Sequence, residues 1–175
     1  MLIPGRTLRD TVALVDTNVM IEAVRVRCWN ALSGALRLET VAECRDEAGR
    51  GDRSRPGYVP VSEADLARLS KVHPVTDLER AVFGLAYGGS QNMDGGERDL
   101  FAHAYARSSA GDPTWVICSP DRASIRAAVA LGWRDQTRSL GELAAAVGAR
   151  PNPPLADHFG ERWLSDLCTA YLLGR

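Results

Sequence analysis

The chain has 175 residues, 45% of them apolar and 25% charged, with a formal net charge of −1. That length allows one domain with a full hydrophobic core, and the composition is ordinary for a globular protein. No window approaches the roughly 18 uninterrupted apolar residues of a membrane span, and the net charge does not advertise nucleic-acid binding.

The start, MLIPGRTLRD, has no apolar signal core, so a cytoplasmic location with no membrane partner is expected. VALV (12–15) is an apolar β-branched run that reads as a buried parallel strand. From Asn18 to about Leu32 the pattern turns helical, with Val19, Ala23, Val26 and Leu32 among its apolar positions. LRLET (36–40) is a weaker strand, and Thr40 is expected to open a helix through Ala48. GRGDRSRPGYVP (49–60) is a polar loop. It continues a basic run of Arg45, Arg50, Arg53 and Arg55. Lys71 is the sole lysine; all other basic chains are arginines, whose planar forks suit phosphate.

A helix at 62–71 capped by Ser62 follows, then one at 76–87 with Thr76 and Glu79 as a capping box. GGSQNMDGG (88–96) is a loop, and a helix spans about 96–109. TWVICS (114–119) is the second clear strand. SPDRASIRAAVALG then carries Ser119 as helix cap, Pro120 at the first helical position and Gly132 as stop. A short strand near Trp133–Asp135 and a helix from Ser139 to Val147 complete the expected main unit, 1–149. GARPNPP breaks the chain, and the 150–175 tail is a linker with an amphipathic helix, expected to pack on its own domain or on a partner. Strands alternating with helices imply an α/β fold, a three-layer α/β/α sandwich around a mostly parallel sheet.

Four acids stand where a strand or loop feeds a helix: Asp16, Glu43, Glu97 and Asp121. Each has a local explanation. Asp16 suits an N-cap, Glu43 a capping box with Thr40, Glu97 one with Asp94, and Asp121 the positive end of a helix. Asp16 and Asp121 both follow expected parallel strands, and ligands of open α/β sheets bind at the carboxyl ends of strands. Several anions in one cleft call for a hard cation, and Mg²⁺ takes few carboxylates because it keeps its waters. Cys28, Cys44, Cys118 and Cys168 form no CxxC pair, so structural zinc is not expected, and the thiols read as small buried hydrophobes. His73, His103 and His158 read as structural, and Trp29, Trp115 and Trp133 as core.

The series LVDTNVMIEA, ETVAEC, GERDLFAHAYA and ICSPDRASIRAA resembles the PIN-domain ribonucleases over about residues 12–147. The first and last motifs are the more specific, and the middle two gain force from order and spacing. The resemblance implies a PIN-like, VapC-like fold and Mg²⁺- or Mn²⁺-dependent hydrolysis of RNA to 5′-phosphate and 3′-hydroxyl ends. Asp16 and Asp121 would ligate the metal, with Glu43 and Glu97 as direct or water-mediated ligands. The third acid falls on Glu97 or Asp99. Glu97 ranks first because it shares a face with Leu100, Phe101 and Ala104, whereas Asp99 lies about 200° round the helix.

Thr17, Asn18 and Ser119 would support the ligands, and Arg45, Arg50, Arg53, Arg55 and Arg122, with Arg126 beside it, are candidates for RNA phosphates. Many bacterial members are toxins held by a small antitoxin; others stand alone. An antitoxin or a second copy of the chain is therefore a candidate partner. Two alternatives compete: a silent PIN-like scaffold that binds RNA or protein without cutting, and a haloacid-dehalogenase-like phosphatase. The latter needs a second aspartate where Asn18 stands.

Overall fold

A computed structural model describes residues 11–50, 54, 56–112 and 114–174. Its centre is a four-stranded, all-parallel sheet in the order β3–β2–β1–β4. The strands are β1 (Val12–Val15), β2 (Arg37–Val41), β3 (Lys71–His73) and β4 (Trp115–Cys118). All residues of β1 and β4 are buried, as their uninterrupted apolar runs require of central parallel strands. Nine helices surround the sheet among the described residues, compatible with a three-layer sandwich. No helix among those residues is long and apolar enough to cross a membrane.

Crossovers run from β1 outward to β2 and β3, and the chain then returns to place β4 on the other side of β1. The order therefore reverses between β1 and β4, and the crevice at their carboxyl ends is the topological switch point. Asp16 leaves one of these strands and Ser119 the other, and the Asp16 amide donates to the Cys118 carbonyl at 3.3 Å.

The expected helix from Asn18 to Leu32 is two helices, α1 (Thr17–Arg25) and α2 (Trp29–Ala35). Between them Arg27 adopts a left-handed φ of 62°. Its amide donates to Val24 and the Cys28 amide to Ala23, the paired bonds of a Schellman cap. Helix α3 (Ala42–Gly49) starts later than expected, because Thr40 remains in β2 and its hydroxyl donates to the Val15 carbonyl at 2.6 Å. Thr40 therefore does not cap Glu43.

Helix α4 (Glu63–Leu66) carries the Ser62 cap but ends early in a turn, and Lys71, the last residue expected in it, opens β3 instead. The Thr76 and Asp94 capping boxes start α5 (Asp77–Ala86) and α6 (Gly95–Ser109) as expected. Helix α7 (Arg122–Ala130) is preceded by Asp121, not Ser119, at its cap, and Gly132 closes it at φ 74°. The segment near Trp133 is a short 3₁₀ turn instead of a strand. Ser139 caps α8 (Leu140–Ala146), and the tail forms α9 (Glu161–Leu172). Helix α9 packs on α7 around Ile125, Leu164, Leu167 and Cys168.

The main core is aromatic as well as aliphatic. Trp115 and Trp133 meet edge to face with ring centres 5.0 Å apart, and Phe101 stacks on Trp133 at 5.9 Å. All four cysteines are buried and free.

Candidate active site

Asp16 caps α1 because it follows a buried strand in extended conformation, and its Oδ1 accepts from the Val19 amide at 2.9 Å. Its other oxygen accepts from the Ser119 hydroxyl at 2.5 Å across the strand reversal. Ser119 is thus a prop for Asp16, and the same hydroxyl oxygen accepts from the Asp121 amide at 3.4 Å. Asn18 Nδ2 donates to Asp121 Oδ2 at 3.0 Å, tying the start of α1 to the cap of α7.

Glu97 lies on the first turn of α6, whose Asp94 cap accepts its amide at 2.8 Å. Its Oε1 accepts from the Ser124 hydroxyl of α7 at 3.0 Å. Asp16, Glu97 and Asp121, carried by three elements, are near enough to act on one another by charge. Burial pushes Asp16 up to about 7 against its hydrogen bonds from Ser119 and Val19, and the charges of Asp121 and Glu97 push in the same direction. Glu97 is also pushed up to about 7, by burial first and then by Asp121 and Asp94. Neither carboxylate has a cationic partner among the described residues.

Asp99 is buried as well, but Arg80 grips both its oxygens at 2.7 Å. That bidentate pair satisfies the carboxylate and takes Asp99 out of the cluster. Of the two alternatives for the third acid, Glu97 is the one near enough to act on Asp16 and Asp121 by charge.

Glu43 is exposed on α3, with its side chain near Gly95, at the rim of the cluster. Glu47, one turn further along α3, reaches deeper. Its Oε2 accepts from the Thr17 hydroxyl at 2.7 Å, so Thr17 supports Glu47 and the Cys44 carbonyl instead of Asp16. Burial raises the Glu47 carboxyl; Thr17 and the Gly96 amide oppose this, and Asp94 and Glu43 add to it. A Cβ on Gly96 would stand 2.7 Å from Glu47 Oε2 and 3.1 Å from Cys44 Sγ, so the bare glycine permits this approach of α3 to α6. Glu47 and Ser124 are the contributors that the motif reading did not identify. The i, i+4 repeat of Glu43 and Glu47 and the i, i+3 step from Asp121 to Ser124 were the available signals.

Of the basic run, the two described arginines are both engaged in ion pairs. Arg45 pairs with Glu63 at 2.7 Å and with Asp46, and Arg50 pairs with Asp46. Arg53 and Arg55 lie outside the described residues. Arg122 is exposed beside Asp121, its guanidinium 6.0 Å from the centre of the Trp163 ring.

A second polar group occupies the β2–β3 edge. Buried Glu39 accepts from Arg37 and Arg107 and bonds His73 Nε2 at 2.7 Å. The His73 and His103 rings stack 4.0 Å apart, and neither His103 ring nitrogen has a hydrogen-bond partner. Burial, His73 and Arg107 push His103 down to about 4.

Among the described residues no group of three or more His, Cys, Asp or Glu side chains stands ready to hold a metal ion. The donor chemistry of Asp16, Glu97 and Asp121 nevertheless fits a hard cation, because the acids are oxygen donors of one sign and two resist ionisation where they stand. No family model matches the chain, and neither a curated protein nor a solved structure does so.

Proposed function

We propose that the chain is a PIN-like, three-layer, Mg²⁺- or Mn²⁺-dependent ribonuclease working at the β1–β4 switch point. The observation that carries this reading is that Asp16, Glu97 and Asp121 feel one another's charge, the first two raised to about 7, with no cationic partner for either among the described residues. A fold keeps such groups at a cost to stability, and perturbed carboxylates gathered in a crevice are characteristic of functional sites.

Asp16 would be the central ligand, held in one rotamer by Val19 and Ser119. Asp121, oriented by Asn18, would be the second. The chemistry supplied by Mg²⁺ or Mn²⁺ when bound is Lewis acidity toward a phosphodiester oxygen and acidification of water. Glu97, fixed by Ser124, would be a direct or water-mediated ligand, placed to orient the attacking water. Glu43, at the rim, would be a direct or water-mediated ligand, and Glu47 is held by Thr17.

A phosphatase of the haloacid-dehalogenase type fits less well. Asn18 is neutral and engaged with Asp121, and Lys71 opens the edge strand β3, two strands from β1. An antitoxin or second copy would find an uncovered apolar face on α5, where Leu78, Val82 and Leu85 are exposed at helical spacing.

The test is cleavage of mixed RNA by purified protein with EDTA, Mg²⁺ or Mn²⁺, beside Asp16→Asn. Metal-dependent cleavage lost in the variant supports the reading. Equal products at equal rates sink it. The absence of both cleavage and a carboxylate-dependent response to metal would favour the silent scaffold.

A further inference from the structure

The seam between α7 and α9 carries two arginine–aromatic pairs, the arginines one turn apart on α7 and the rings two turns apart on α9. Arg122 lies over Trp163 with 6.0 Å from its Cζ to the ring centre, and Arg126 over Tyr171 at 4.9 Å. Both arginines are exposed and lie one helical turn apart, so they leave one edge of α7 with their Cβ atoms about 6 Å apart. Neither makes an ion pair among the described residues, whereas Arg45, Arg50, Arg80, Arg107 and Arg162 all do. The seam begins next to Asp121, and one cleft is lined by Ser119, Pro120, His158 and Trp163 together. Free cationic charge and partly exposed rings therefore adjoin the carboxylate cluster directly.

We propose that this seam is a track for single-stranded RNA: Arg122 and Arg126 take successive phosphates, and bases stack on Trp163 and Tyr171. The proposal rests on the ribonuclease reading for the identity of the polymer, and it adds the strand state and the path of the substrate.

The chemistry follows from the residue types. A polyanion approaching Asp16, Glu97 and Asp121 meets like charge, and guanidinium groups beside the cluster offset that repulsion. Arginine over an aromatic face also presents a flat, cationic surface on which a base or ribose can lie. Unpaired bases offer such faces; the bases of an A-form duplex are stacked inward and unavailable. Packing of the two helices alone does not require exposed arginines, because Ile125, Leu164, Leu167 and Cys168 already join them beneath the seam.

The test measures binding without cleavage. A fluorescein-labelled single-stranded oligoribonucleotide and a duplex of the same length are titrated with the full chain in EDTA, read by anisotropy across a salt series. The wild type is expected to prefer the single strand. Arg122→Gln with Arg126→Gln should weaken single-strand binding by about tenfold at moderate salt and lower the slope of log K against log salt by about 1.4, two phosphates at roughly 0.7 each. Trp163→Leu should weaken it by about tenfold, and Trp163→Phe, which keeps a ring and the packing, should restore most of that. Arg162→Gln, on the outer face of α9, should leave affinity unchanged.

Far-ultraviolet circular dichroism and Tm separate loss of binding from loss of fold. Unchanged affinity and slope in the double arginine variant overturn the track, as does equal or tighter binding of the duplex, or no binding by the wild type. Because cleavage is not the readout, seam-dependent binding by a chain that never cleaves RNA overturns only the ribonuclease reading. Cleavage that ignores the seam variants, together with their unchanged binding, overturns only the track.

Discussion

Asp16→Asn separates two effects that the buried carboxylate combines. The amide oxygen can still accept from Val19, so the α1 cap persists, while the ionisable group is lost. Asp16 and Glu97 are raised from 3.8 and 4.5 to about 7. Between about pH 4 and 7 the unfolded chain releases protons that the fold retains, so their contribution to stability falls as pH rises through that window. At pH 8 in EDTA, Asp16→Asn is therefore expected to melt higher than wild type, by about 1 kcal/mol or roughly 2–4 °C for a chain of this size. Mn²⁺ should raise the wild-type Tm at the same pH and move the variant little. Calorimetry with and without metal checks both.

His103 has the opposite sign: its folded value near 4 lies below the ordinary 6.5. As pH falls from about 6.5 to 4 the unfolded chain takes up a proton that the fold refuses, and stability declines. His103→Gln should flatten that acid-side decline, measured as ΔG against pH by urea unfolding beside wild type.

Helix ends show which elements were legible in the sequence and why others were not. The capping boxes at Thr76, Asp94 and Ser139 each place a side-chain acceptor three residues before an acid, and each begins a helix where that pattern stands. Gly132 closes α7 with the same pair of bonds that Arg27 closes α1, yet only Gly132 announces itself, because arginine rarely adopts a left-handed φ. The α1–α2 break was hidden for that reason. Arg27→Gly removes the side-chain clash and is expected to stabilise the fold by about 0.5–1 kcal/mol, a rise of roughly 1–4 °C in Tm. An unchanged or lower Tm would mean that the Arg27 side chain stabilises the break.

Strand β3 was illegible because Lys71, Val72 and His73 are too few to show a period, and only pairing with β2 makes them a strand. At the site, Asp16 and Asp121 were legible from their places after strong strands. Glu47 was not, since its role depends on Thr17 and on the closeness of Gly96, both set by tertiary packing.

Across the whole molecule, the tail is coupled to the carboxylates through α7. Leu167 is 8% exposed in the small core that joins α9 to α7, and α7 begins at Asp121. Leu167→Ala is expected to cost about 2–3 kcal/mol by leaving a cavity. If the chain cleaves RNA as proposed, cleavage should also fall in this variant at temperatures where it remains folded, as the Asp121 cap loosens. Full activity in a folded Leu167→Ala protein would show that the tail leaves the cluster indifferent.

The reversal of strand order between β1 and β4 also has a consequence in time. Asn18 and Asp121 touch across 103 residues of chain, as do Asp16 and Ser119. During synthesis, Asp16 emerges from the ribosome long before its counterpart does, and α6 brings Glu97 before β4 exists to complete the crevice. On the ribonuclease proposal, a half-made chain would expose single acids and no assembled catalyst, and the messenger being translated would be out of danger until β4 and α7 had followed.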